Sequence, residues 1–274
     1  MLLGSVSFAL MGTLAHQLGP RCGWQIAALA RTGLVLVFAV LCARAAGARL
    51  VFPGPRILWV RSIAGSVSLV CTFYALTLLP VSDVFTLTNT FPIWVAVLSW
   101  PLLRERPPGG VWLAILCGVA GVALIQRPHL ASGNPAVFVA LFAAVSTAVA
   151  MLGLNRLRDL DPWAIVVHFS AVGLAFVVGS LVVSRESVPP LNQLGGQTVL
   201  MLVGVAAAAT VGQWFLTKAF AAGSASRVSV VGLTQIVFAL TLDVAVLHHP
   251  FDGTALLGMG LVMAPTAWLM TNRA

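Results

Sequence analysis

Residues able to do chemistry are scarce in this chain, and most of them interrupt apolar runs. The stretch "TLTNTFPIW", residues 86–94, sets Asn89 and Thr90 beside Pro92. Pro92 cannot donate to the carbonyl of Thr88, so a helix through this stretch is expected to kink or open there. Asn89 and Thr90 would then present an amide and a hydroxyl at the interruption. Arg31, His168, Lys218 and Asp243 lie in other apolar runs. An ionisable group in such a place costs roughly 2.5–3.5 kcal/mol on insertion scales, which makes each a candidate for solute binding, ion coupling or gating. Plainer readings stand beside these: Lys218 can snorkel to an interface, His168 can be a packing group, and Arg31 can pair carbonyls. Gln213 and Trp214 precede Lys218 by little more than one helical turn and are expected on the same face. For a zwitterionic solute, Lys218 would meet the carboxylate and Asp243 the amine, with Asp243 or His168 as proton carriers.

These residue types suit reversible binding and not catalysis. The chain carries no Gly-x-Ser-x-Gly, no phosphate loop, no His-Glu-x-x-His and no paired carboxylates on one apolar face, so no enzyme is expected. His16 closes the first apolar run, and His248 and His249 are adjacent in a polar break, a poor geometry for one metal ion. Cys22, Cys42, Cys71 and Cys117 give neither a disulfide framework nor ligand spacing. No metal and no cofactor is expected. Among the aromatics, Trp24, Trp59, Trp112, Trp163 and Trp268 fall near the ends of apolar runs, where an interfacial belt accounts for them. Tyr74, Trp94 and Trp214 lie deeper and could stack on a flat or apolar solute, or simply pack.

The elements that must position these groups are helices in a bilayer. Hydrophobic residues make up 59% of the 274 positions and charged residues only 8%, with mean hydropathy +1.01, which leaves too little polar surface for a water-soluble globule. A spanning helix needs about 20 mainly apolar residues. Ten such runs are read at 2–18, 24–44, 57–79, 82–103, 110–126, 135–155, 162–183, 198–221, 226–247 and 253–271. Runs such as "VWLAILCGVAGVALI" do not alternate, which argues against a barrel. The first run has no basic n-region and no small-x-small site, so a cleaved leader is not expected. With the N-terminus inside, the inner breaks hold Arg44, Arg49, Arg56, Arg61, Arg104, Arg106, Arg156, Arg158 and Arg273, against Arg21, Arg127 and Arg185 outside. The positive-inside rule therefore places both termini in the cytoplasm. The net charge of +8 reflects this topology and anionic headgroups, with no basic-aromatic patch for nucleic acid.

Sliding the sequence by 144 superposes residues 72–123 on 216–267 with ten identities, and a shift of 137 sets Arg31 against His168. Two halves, 1–127 and 128–274, would each hold five helices. An odd number forces opposite orientations in the membrane. Asp83 and Arg227 share a repeat position yet would lie on opposite sides. The partner of the Pro92 stretch is "VGLTQIV", residues 231–237, where Gly232 faces Thr88, Thr234 faces Thr90 and Gln235 faces Phe91. Interruptions at one depth in both halves point to a transport site there. The small-residue runs "CGVAGVA" and "GMGLVMA" are expected to pack helices closely or to form a dimer face, leaving a monomer or homodimer.

The segments "ALARTGLVLVF", "FYALTLLPVSDV", "TNTFPIWVAVL" and "LLRERPPGGVWLAILCGVAGVALI", with a weaker second copy, make the chain resemble the EamA group of the drug/metabolite transporter superfamily over nearly its whole length. The resemblance implies an all-α membrane protein of ten helices in an inverted five-plus-five repeat, working by alternating access on a small molecule. It implies a cavity lined mainly by the first, third, fourth, sixth, eighth and ninth helices. The sequence departs from that pattern at Ile236, where a proline is usual, and at His248 and His249, where a glutamate is. Export of small amphipathic metabolites such as amino acids, aromatic ones among them, across the bacterial inner membrane is the expected function, with protons as a candidate coupling ion. A passive facilitator and an exporter of nucleosides, vitamins, cofactors or drugs remain as alternatives.

Overall fold

The computed structural model describes residues 1–18, 21–22, 24–127, 134–184, 194–247 and 253–271. All regular structure among them is helical: α1 Leu2–Leu18, α2 Trp24–Ala45, α3 Arg56–Leu78, α4 Val81–Thr88, α5 Phe91–Leu103, α6 Gly109–Gln126, α7 Ala136–Asn155, α8 Pro162–Ser184, α9 Gly196–Ala222, α10 Ala225–Gly232, α11 Thr234–Leu247 and α12 Gly253–Thr271. Nine segments among the described residues are long and apolar enough to cross a bilayer, and Leu2–Leu18 is a shorter apolar helix. Backbone groups in hydrocarbon must be satisfied within the chain, which is why the apolar runs are helices throughout.

Large apolar side chains point outward. Val183 is 84% exposed, Phe138 74% and Leu200 71%, a surface that hydrocarbon accepts and water does not. The interior instead gathers small and polar residues, among them Ser62, Ser66, Ser99, Ser229 and Thr234. Helices associating in lipid gain from close approach and internal hydrogen bonds and not from hydrophobic burial. The packed pairs are α3 with α7, α1 with α9, α6 with α12, and α2 with α8. At the α6–α12 crossing a Cβ on Gly258 would lie 2.6 Å from the Gly121 carbonyl oxygen, and one on Gly121 would lie 2.6 Å from that of Gly258. The two small-residue runs, read from sequence as close packing or a dimer face, therefore meet each other inside one chain.

The fourth and ninth apolar runs are each two helices. α4 ends at Thr88 and α5 begins at Phe91, while α10 ends at Gly232 and α11 begins at Thr234. Pro92 falls in the first turn of α5, where a missing N–H leaves no bond unmade. Ile236, in the proline's place, does not prevent the second break.

One end of the bundle is sealed. Leu58 of α3, Val95 of α5, Leu152 and Leu154 of α7, Ile165 of α8, and Leu216 and Phe220 of α9 form one buried cluster with Ala225 of α10. Polar contacts reinforce it. The Asn155 amide donates to the carbonyls of Phe220 at 2.9 Å and Gly223 at 2.8 Å, and the hydroxyls of Ser99 and Ser226 meet at 3.3 Å. At this end α5 packs on α10. At the other end α4 and α11 are not among the closely packed pairs of the described residues.

Candidate functional site

The two helix breaks face each other across the molecule. The same residue type donates back to the preceding helix in both places. The Thr90 hydroxyl donates to the Leu87 carbonyl at 2.6 Å, and the Thr234 hydroxyl to the Val231 carbonyl at 2.7 Å. Back-bonding of this kind gives a carbonyl in the last turn before each break a hydroxyl donor. Asn89 caps α4 and is 5% exposed; its amide nitrogen donates to the Phe85 carbonyl at 2.7 Å. Its oxygen takes a long contact from the Gln235 amide at 3.4 Å, which joins one break to the other. Gly232 has the Met1 methyl and the Phe91 ring over it, 3.2 and 3.7 Å from where a Cβ would stand. Asn89, Thr90, Pro92, Gly232, Thr234 and Gln235 thus form one neighbourhood. Trp94 packs on the sealing cluster, and its buried indole N–H has no partner among the described residues.

A second polar centre lies between α2, α3, α8 and α9. A pocket of ≈ 290 Å³, its open mouth included, is lined by Arg31, Thr32, Phe169, Ser170 and Gln213 with apolar neighbours. Arg61 reaches the same walls. It is 1% exposed, its guanidinium carbon sits 4.0 Å from the Phe169 ring centroid, and its Nη2 is 3.5 Å from the Gln213 amide oxygen. Sequence reasoning counted Arg61 with the inner-face cations; it is instead inside α3, surrounded by protein. The overlooked signal is Gly65, one turn on. A Cβ there would fall 2.7 Å from Arg61 Nη1 and 2.8 Å from the Phe169 ring, so the space beside it belongs to the guanidinium.

Next to Arg61, Ser62 shares a 2.8 Å hydrogen bond with His168 Nδ1. His168 is 1% exposed and packs edge-on to Trp59 with ring centroids 4.6 Å apart. Its Nε2 is buried without a partner among the described residues. Ser62, Phe169 and Asn155 were not singled out from the sequence, because serine and phenylalanine are common in apolar helices and carry no signal of their own.

The remaining candidates lie elsewhere. The Lys218 ammonium rests 4.3 Å from the Trp214 ring centroid, Lys218 itself is exposed, and Trp214 stacks on Trp163 at 5.7 Å. Five residues turn a helix by about 500°, so Lys218 stands about 140° away from Gln213 on α9. The two do not share a face, contrary to the expectation from their spacing. Tyr74, at the repeat position equivalent to Lys218, is 55% exposed. Asp243 lies in α11, and its side chain, with His248 and His249, lies outside the described residues. No group of three or more metal-ligating side chains is found among the described residues. The four cysteines are free and half-buried.

The EamA-like transporter family matches this chain over residues 1–127 and again over 134–271. The "Pseudopaline exporter CntI" of Pseudomonas aeruginosa (strain UCBPP-PA14) is 31% identical over 238 residues, 86% of this chain and 82% of that protein. The "Riboflavin transporter" of Vibrio cholerae is 28% identical over 151 residues, 54% of this chain and 49% of its own. A solved crystal structure, 19% identical, superposes with a TM-score of 0.83 over 98% of this chain and 96% of its own, a likeness of fold. With helices that cross a membrane, polar groups gathered at matched breaks and these relatives, the chain belongs to the EamA-like transporter family and is a multi-pass membrane transporter, not an enzyme.

Proposed function

We propose that this chain is a secondary-active exporter of small amphipathic metabolites, amino acids among them, in the bacterial inner membrane, with both termini cytoplasmic. The observation that carries the reading is the pair of helix breaks whose C-caps, Asn89 and Leu233, lie 144 residues apart, the same shift that relates the halves. Under that shift the packed pairs exchange: α3 on α7 corresponds to α9 on α1, and α5 on α7 to α11 on α1. An inverted five-plus-five repeat of ten spans accounts for this exchange, and the molecule then has two ends that can seal in alternation. The end sealed by the α5–α10 contact is the cytoplasmic one in this orientation, so an exported solute held at Asn89 and Gln235 leaves toward the opposite end, between α4 and α11.

Amide and hydroxyl groups beside the Trp94 and Phe91 rings match a solute with both polar and apolar parts. The kinship with an exporter of 31% identity supports outward flux. Lys218, lying on Trp214, is assigned here to the membrane interface, and proton coupling to His168 or Asp243. Counterflow in proteoliposomes tests the reading. Vesicles are loaded with unlabelled amino acids or other metabolites, and entry of each labelled compound is followed with and without a pH step. Saturable, trans-stimulated entry is expected. Entry that does not saturate and ignores the trans side would make the protein a passive facilitator.

A further inference from the structure

Arg31 lines the pocket between α2, α3, α8 and α9, and the Arg61 guanidinium lies against two of its wall residues, Phe169 and Gln213. Arg61 is 1% exposed, and its Nε and Nη1 have no hydrogen-bond partner among the described residues. Its Nη2 has only the 3.5 Å approach to Gln213, and the Phe169 ring covers one face at 4.0 Å. Arg31 lines the same pocket. No carboxylate among the described residues bonds either side chain. A buried charge without a partner costs several kcal/mol, and a guanidinium fork has the geometry to hold a planar carboxylate with two parallel bonds. Gly65 keeps its space clear on one side. On the other, a Cβ at Gly153 would stand 2.9 Å from Arg61 Cβ. Thr32 and Ser170 supply neutral walls.

We propose that Arg61 and Arg31 form an anion site that takes a carboxylate of the transported solute, between α2, α3, α8 and α9. This rests on the carrier reading above and names the class of solute: one bearing a carboxylate, held on the cationic side by α3 and α2. Gln213 takes one hydrogen of Nη2 and orients the guanidinium; the other Nη2 hydrogen, with that of Nε or Nη1 beside it, forms the fork for the two carboxylate oxygens.

The test uses the purified full-length chain in detergent. Propionate is titrated against thermal unfolding, with propionamide, of nearly the same shape and no charge, as its control and chloride in a separate arm. Propionate is expected to stabilise the wild type and propionamide not to. Arg31→Gln and Arg61→Gln should each raise the half-saturating propionate concentration by about tenfold or more, as expected for loss of a charge-assisted pair. Arg61→Lys should keep part of the effect. Arg31 is only half-buried, so its variant reports on the site even if Arg61→Gln fails to fold. Equal stabilisation by the amide, or unchanged propionate titrations in Arg31→Gln, overturns the site. Stabilisation by chloride with none by propionate overturns the carboxylate assignment. Counterflow on the same preparation separates this from the carrier reading. A protein that exchanges solutes but shows no acid-over-amide preference loses the site and keeps the carrier, and one that binds propionate yet exchanges nothing does the reverse.

Discussion

Locking the sealed end should stop turnover. Ser99 on α5 and Ser226 on α10 approach to 3.3 Å between hydroxyl oxygens, and both are buried. Replacing them in Ser99→Cys/Ser226→Cys asks two sulfurs to close only to the ~2.05 Å of a disulfide. The four native cysteines are free and are changed to serine first. If access from the cytoplasm requires separation of α5 from α10, a covalent bond between them forbids that step, and the rate falls by the fraction of molecules bridged. With about nine-tenths oxidised, about a tenth of the counterflow should remain, returning on reduction. The repeat supplies the reciprocal pair. Adding 144 carries position 82 to 226 and position 99 to 243, so Ser82→Cys/Asp243→Cys is expected to bridge only when the opposite end closes. Counterflow by the oxidised Ser99→Cys/Ser226→Cys protein at more than about half its reduced rate, with bridging verified by mass, would refute the assignment of α5–α10 as a gate.

Gly258→Ala should lower thermal stability, since its Cβ would stand 2.6 Å from the Gly121 carbonyl; overpacking of this kind costs about 1–3 kcal/mol. Gly260→Ala, with nothing within 4 Å, serves as the neighbouring control and should melt near the wild type in the same detergent. Lys218→Ala is expected to shift the half-saturating solute concentration in counterflow by less than about twofold, because the side chain is exposed on Trp214 and exposed interactions are weak. Burial pushes the Cys22 thiol up from its ordinary value, so less thiolate is present at neutral pH. Maleimide labelling of a variant retaining only Cys22 should be slower than that of a free thiol at pH 7 and approach it as pH rises.

Much of the architecture was legible in the sequence because the bilayer imposes it. Apolar runs of the right length must be helices when no water can satisfy the backbone, and the runs read from composition fall on the observed elements. Pro92 marked the first break for a local reason, the lost N–H. The second break was marked only by Gly232 and by its 144-residue relation to the first, since Ile236 offers no such defect.

The sequence by itself determined the helices, the interruption at Asn89 and Thr90, and the family, all of which depend on neighbours in the chain. Tertiary structure alone decided which polar groups share a space. Arg61 looked like a headgroup cation and is a buried guanidinium facing Gln213, which is 152 residues away. Whether an arginine in the second turn of α3 points to headgroups or to protein depends on what packs beside it, and Gly153 and Phe169 are brought there only by the meeting of α3 with α7 and α8.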